Sequence, residues 1–273
     1  MSDQPPLPTA PEPPPEQPLE NAPPPPEPQQ MGDPAPYLPP EPLPERTPFW
    51  GYFDLALFVA LAFPCMFVGG FIGLNLARAV VAAVHPAVRI PSLEPLAEQL
   101  GADIVLFSVL ALLLRLQYDR PFWRSLGWRP AGIPLLLPVI AGLGCAIGVA
   151  ILGTLIHIPN TDNPMVDLMK ERTSAILMAC FGVTIAPLTE ELIFRGFLQP
   201  LLVRSLGTIP GILLASVPFG LLHYREYGDS WRHAILIGLA GAAFGWMRHR
   251  TGSTQASTFM HASYNALIFY AVL

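Results

Sequence analysis

The chain has 273 residues, of which 52% are hydrophobic and 13% charged, with a mean hydropathy of +0.44 and a formal net charge of −5. Globular proteins carry about 25% charged residues, so an ordinary soluble domain is excluded and the bilayer becomes the expected solvent. The acidity belongs to one stretch: residues 1–48 hold 20 of the 34 prolines and eight acids against one base, Arg46, so the remainder is slightly basic and nothing suggests a nucleic-acid ligand.

That opening stretch is too poor in apolar surface to offset chain entropy, and its Pro-Pro runs favour polyproline II. Residues 1–48 are therefore expected to be a disordered, Pro-rich acidic tail, a solvated spacer whose PxxP spacings also suit docking to Pro-binding modules. No basic stretch, apolar core and small-residue cleavage site open the chain, so no signal peptide is expected.

A membrane helix needs about 20 mostly apolar residues. Windows that meet or approach this lie at 50–77, 99–116, 132–156, 174–204, 208–223, 231–248 and 254–273, with 78–88 as an extension of the first or a short interfacial piece. The fold class expected is all-α, a polytopic transmembrane bundle of about seven helices. Its divisions are the tail at 1–48, N-terminal transmembrane helices at 49–172 and a chemically distinct region at 173–273. Trp50, Tyr52, Trp123, Trp128, Trp231 and Trp246 sit at window edges, where interfacial anchors belong. Cys65, Cys145 and Cys180 lie in apolar runs at no metal-like spacing and read as small buried hydrophobes. The connection at 115–129 carries Arg115, Arg120, Arg124 and Arg129 against Asp119. The excess of basic residues places it in the cytoplasm, and alternation puts the tail, Arg204 and the turn at 248–252 on the same side.

Ionisable groups inside membrane spans are costly and are functional candidates by default. Asp54 and Asp103 lie near window ends, from which they can reach the headgroups. Glu190, Glu191 and Arg195 interrupt an apolar run, His223 closes another, and His261 and Asn265 interrupt a third. Glu191 and Arg195 are i,i+4 and can pair, whereas Glu190 is turned about 100° away and keeps its carboxylate free. Phe219 and His223 share a helix face, as do His261 and Asn265. At ~1.5 Å per residue, Glu190 and His223 both lie roughly 21–22 Å from the turn near 205, and His261 and Asn265 roughly 13 and 19 Å from the turn near 250. Antiparallel neighbours would bring all four to similar depth. A desolvated carboxylate, two imidazoles and an amide suit amide hydrolysis: a general base, a partner holding the attacking water, and donors to an oxyanion. The alternative is a buried polar network that joins helices.

At these residues the chain resembles the CPBP (Abi/CAAX protease-like) intramembrane proteases. Glu190-Glu191-Leu192-Ile193-Phe194-Arg195 matches the EExxxR signature, Phe219-Gly220-Leu221-Leu222-His223 the FxxxH element, and His261-Ala262-Ser263-Tyr264-Asn265 the HxxxN element, in the family's order. The resemblance implies a helical membrane fold with its site inside the bilayer, and endopeptidase activity typified by prenyl-CAAX processing. Glu190 would activate water with His223, and His261 and Asn265 would form the oxyanion hole. Glu191 and Arg195 would support the first helix, with Phe219 beside His223. It also implies a membrane-associated protein or peptide substrate, and a bacterial plasma membrane as the setting. A glutamate mechanism without metal fits these residues; a divalent metal such as zinc, if used, would fall to Glu190, His223 and His261. The other reading is a non-catalytic immunity or scaffolding protein of the same fold.

Competing protease chemistries lack their residues. There is no HExxH. Tyr227-Gly228-Asp229 has no second membrane aspartate to share a proton. Gly252-Ser253 lies in a polar turn without a GxSG context. His85, His157, His233 and His249 fall at window edges or in connections and read as interfacial residues.

Overall fold

The computed structural model describes residues 47–84, 90–158 and 164–272. The tail expected over 1–48 lies outside the described residues except for Thr47 and Pro48, and so does His85. Among the described residues the secondary structure is entirely helical: α1 (Tyr52–Val84), α2 (Leu93–Tyr118), α3 (Phe122–Ser125), α4 (Leu136–Leu155), α5 (Pro164–Leu168), α6 (Arg172–Val183), α7 (Ile185–Glu191), a π-helical segment (Leu192–Leu198), α8 (Gln199–Leu206), α9 (Thr208–Leu222), α10 (Trp231–Thr251) and α11 (Thr254–Val272).

Four stretches are long and apolar enough to cross a membrane: Tyr52–Ala83, Leu93–Tyr118, Leu136–Leu155 and Arg172–Leu206. Only 22% of the most apolar window of the first is buried within the protein, and Phe53, Phe63 and Phe67 stand on its outer face. Such a continuous apolar face is incompatible with water, so this is an integral membrane protein. Residues 78–84 extend α1 rather than forming a separate interfacial piece. α10 and α11 have 21 and 19 residues and are of spanning length, but carry polar groups. α9 has 15 residues and at ~1.5 Å per residue is shorter than the ~30 Å hydrocarbon core.

α1 and α2 form a hairpin with nearly touching backbones. A Cβ on Gly69 would collide with the carbonyl of Gly101, and one on Gly73 with that of Ala97. The small-xxx-small spacing of Gly69 and Gly73 permits this approach, the usual way for membrane helices to gain packing when lipid is as apolar as leucine. The other principal pairings are α4 with α11, α9 with α10, and α8 with α9.

Burial corrects three expectations. Asp54 is buried, accepting from Gly51 N–H and Tyr118 O–H, both at 2.7 Å, and so closes the first turn of α1 instead of reaching the headgroups. Trp50 is buried as well. Its ring stacks on Phe197 and its Nε1–H donates to the Phe197 carbonyl at 3.1 Å, so it anchors the chain entry to the π-helical segment. Trp123, Trp231 and Trp246 are exposed, as interfacial residues should be. Of the cysteines, Cys65 is buried whereas Cys180 is exposed, an apolar position whose outward neighbour is lipid.

Candidate active site

The run Arg172–Leu206 is one long apolar stretch with two irregularities, and both shape the site. At its start Glu171 accepts from the N–H groups of Thr173 and Ser174, which caps α6 and holds the Glu171 carboxyl below its ordinary range. α6 stops at Thr184. Pro187 has no N–H to offer Val183, so α6 and α7 do not merge into a regular helix. The carbonyls of the last turn of α6 are left without helical partners, and Asn265 Nδ2 donates to that of Gly182 at 2.7 Å. The second irregularity follows Glu191: residues Leu192–Leu198 are wound as a π-helix. Single π turns inside α-helices are frequent at functional sites.

Glu191 and Arg195 are paired, as the spacing predicts. Arg195 Nη1 lies 3.0 Å from Glu191 Oε1, with the two side chains 1% and 0% exposed. The other terminal nitrogen of Arg195 donates to the Gly241 carbonyl at 2.7 Å, and the guanidinium lies over the Phe219 ring, 4.3 Å from its centre. Gly241 is required for this. A Cβ there would come within 2.9 Å of the guanidinium and 2.7 Å of the Phe219 ring.

His261 stands between the two glutamates. Its Nδ1 is 3.1 Å from Glu191 Oε1 and its Nε2 is 3.9 Å from Glu190 Oε2, an ion-pair separation rather than a hydrogen bond. The ring stacks on Phe244 at 4.5 Å, with Phe219 edge-on at 5.7 Å. Glu190 is turned away from the Glu191–Arg195 pair, and its Oε2 is buried without a hydrogen-bond partner. His223, the residue after α9, sits beside Phe219 with the ring centres 5.1 Å apart. Its Nδ1 is 2.8 Å from the Phe219 carbonyl, which fixes the proton on that nitrogen and leaves Nε2 as an acceptor.

The structure therefore gathers Glu190, Glu191, Arg195, Phe219, His223 and His261, with Asn265 one turn along α11 and tied to Gly182. Among the described residues no three His, Cys, Asp or Glu side chains are arranged to hold a metal ion.

Three participants were missed in the sequence. Phe244 carries only the apolar pattern of α10. Asp103, expected at the headgroups, is buried on α2. Its Oδ1 accepts from Gln99 at 3.0 Å, its Oδ2 is unpartnered, and it lies within reach of the Glu190 charge. Glu226 follows His223 on the turn, with its Oε2 4.0 Å from His223 Nε2. Burial pushes its carboxyl upward, with Glu190 adding to the shift and His223 opposing it. Asp103 and Glu226 were legible only as isolated acids: Glu226 joins the site through its neighbour His223, and Asp103 through the reach of the Glu190 charge to α2.

Comparison with known proteins agrees with the motifs. Residues 172–267, about a third of the chain, match the family model described as Type II CAAX prenyl endopeptidase Rce1-like. No curated protein and no solved structure matches the chain. The matched span contains every motif residue from Glu190 to Asn265. Residues 172–267 are therefore similar to the Rce1-like type II CAAX prenyl endopeptidases.

Proposed function

We propose that the protein is an intramembrane endopeptidase in which Glu190 activates a water molecule without a metal ion. The observation that carries this reading is the buried Glu190 oxygen with no hydrogen-bond partner. It belongs to a carboxylate excluded from the neighbouring Glu191–Arg195 pair and facing an imidazole. A buried acceptor left unsatisfied costs stability, and a function that needs a free base accounts for its retention.

The chemistry runs as follows. Glu190 and His223 Nε2 are both acceptors and hold the two hydrogens of a water, leaving its lone pair directed at a peptide carbonyl. Glu190 takes one proton as the water oxygen bonds to the carbonyl carbon, and later gives it to the departing amine. His261 and Asn265 donate to the oxyanion in between. Asn265 has two N–H groups; one is held by Gly182, which orients the amide, and the other serves the oxyanion. His261 has a stricter requirement. With Nδ1–H given to Glu191, Nε2 donates only when the ring carries both protons.

Depth supports the same reading. α9 is too short to traverse the core, so the turn carrying His223 lies below the surface, and irregular backbone is tolerated there only where protein or a water-filled cavity surrounds it. The substrate is a membrane-associated peptide segment, with prenyl-cysteine ends as the first class to test. The non-catalytic alternative has no observation in its favour, since each motif residue is present and assembled. A proteomic comparison of membranes bearing wild-type or Glu190→Gln protein should yield new peptide termini with the wild type only. Identical termini in both would refute the peptidase reading.

We also propose that the end of the bundle bearing the 115–129 connection faces the cytoplasm of a bacterial cell, with the C-terminus outside. The sequence alternation assigns the 115–129 connection, Arg204 and the turn near 250 to one side, and all three line a single cavity. A reporter fused after Leu273 should be active outside the cell; cytoplasmic activity would mean an inverted orientation or a miscounted crossing.

A further inference from the structure

One cavity lies away from the proposed catalytic residues. It has a volume of about 660 Å³ and lies at the end of the bundle where the chain enters α1, α2 gives way to α3, α8 ends and α10 ends. Ligand sites are commonly about 300–1,000 Å³. Its polar lining is cationic: Arg120, Arg124, Arg129, Arg204, Arg248 and His249, with no acidic side chain among the described residues. Phe49, Pro200 and Val203 supply an apolar wall.

The arginines are held in place by neutral acceptors. Arg204 donates to the carbonyls of Pro48 and Trp50. Arg129 Nε donates to the Gly252 carbonyl at 2.9 Å, and Arg248 Nε to Thr254 Oγ1 at 2.9 Å. Among the described residues none of Arg124, Arg129, Arg204 and Arg248 has a carboxylate partner, whereas Arg78, Arg115 and Arg195 each have one. An excess of basic residues on one side of the membrane explains arginines at this end. It does not explain four of them, from the 115–129 connection, α8 and α10, converging on one concavity, with Arg129, Arg204 and Arg248 fixed there by hydrogen bonds to neutral acceptors.

We propose that this cavity binds a phosphate group. Several oxygens on one centre can meet guanidinium forks arriving from different directions, which the two oxygens of a carboxylate cannot. Basic pockets between helices at a membrane face are suited to phospholipid headgroups, and the apolar wall would accommodate the glycerol and first acyl carbons. A soluble phosphate offers the same group. The site lies outside the peptidase machinery, and its test requires no turnover.

The test uses the full-length protein in mixed micelles of phosphatidylglycerol and phosphatidylcholine. Native mass spectrometry reads the retained lipid, and melting curves are recorded with and without inorganic phosphate. Wild type should retain phosphatidylglycerol preferentially, and Arg124→Gln/Arg129→Gln should lower that preference about 30-fold, which corresponds to about 2 kcal/mol for two neutralised arginines. Arg124→Lys/Arg129→Lys should recover only part of it, since charge returns without the fork. Arg124 has no partner to lose among the described residues, so Arg124→Gln alone serves if the double variant does not fold. If wild type shows no lipid preference but is stabilised by inorganic phosphate, and the variant is not, the phosphate is soluble in origin and the site stands. If wild type shows neither lipid preference nor phosphate stabilisation, the proposal is overturned, whatever the variants do.

Discussion

Glu191→Gln protein should melt well below wild type and lose activity with its stability. The side chain is fully buried and shares one carboxylate oxygen with Arg195 and His261. Replacing it by an amide strands a guanidinium that is itself 1% exposed, and an uncompensated buried charge costs roughly 3–5 kcal/mol. Arg195→Ala should cost at least as much. It strands the carboxylate, removes the bond to Gly241 and empties the space over the Phe219 ring. The double substitution should cost less than the sum of the two, because each single change already breaks the unit. Melting curves for the four proteins of this cycle decide the point; additive losses would mean that the two charges do not depend on each other. His261 supplies a second readout. A glutamine can turn its NH2 rather than its oxygen to Nδ1 and so no longer fixes the proton there, and residual folded Glu191→Gln protein should turn over more slowly than wild type.

Glu190→Gln should do the opposite: keep the fold and lose the reaction. Glu190 Oε2 has no hydrogen-bond partner, and His261 Nε2 lies 3.9 Å away, so little that holds the helices together is removed. The amide has the same size but cannot take a proton from water, and a positioned general base contributes about 100- to 10,000-fold. The two adjacent glutamates thus answer the same substitution in opposite ways. If Glu190→Gln unfolds while Glu191→Gln is stable, their roles are interchanged.

Much of the fold and the composition of the site were legible in the sequence, for physical reasons that also mark where legibility stopped. Membrane helices announce themselves by length and apolarity, which is why α1, α2 and α4 fell close to their windows. Ionisable residues inside such windows are rare enough that Glu190, Glu191, Arg195, His223 and His261 stood out, and helical spacing alone showed which glutamate pairs with Arg195. Turn-to-residue distances brought Glu190 and His261 to a common depth, and they are neighbours in the structure. Position along a window misled where a polar group had a partner inside the bundle. Asp54 and Asp103 looked able to reach the headgroups, but Tyr118 and Gln99 bind them inside the bundle. The π-helical winding of Leu192–Leu198 and the break at Thr184 have no period in the sequence, because both depend on what the freed backbone groups meet. Gly182 meets Asn265 from α11, some 80 residues on. The convergence of arginines at the far end was visible as charge on several connections, never as a cavity.

The central claim is that a glutamate, not a metal ion, activates the water. The most direct measurement is turnover of one cleaved peptide in vesicles containing a metal chelator, comparing wild type with Glu190→Gln protein whose melting curve matches it. The account predicts full wild-type turnover in chelator and a loss of about 100- to 10,000-fold for the variant. Turnover by the variant at the wild-type rate, or a wild-type rate abolished by chelator and restored by zinc, would contradict it.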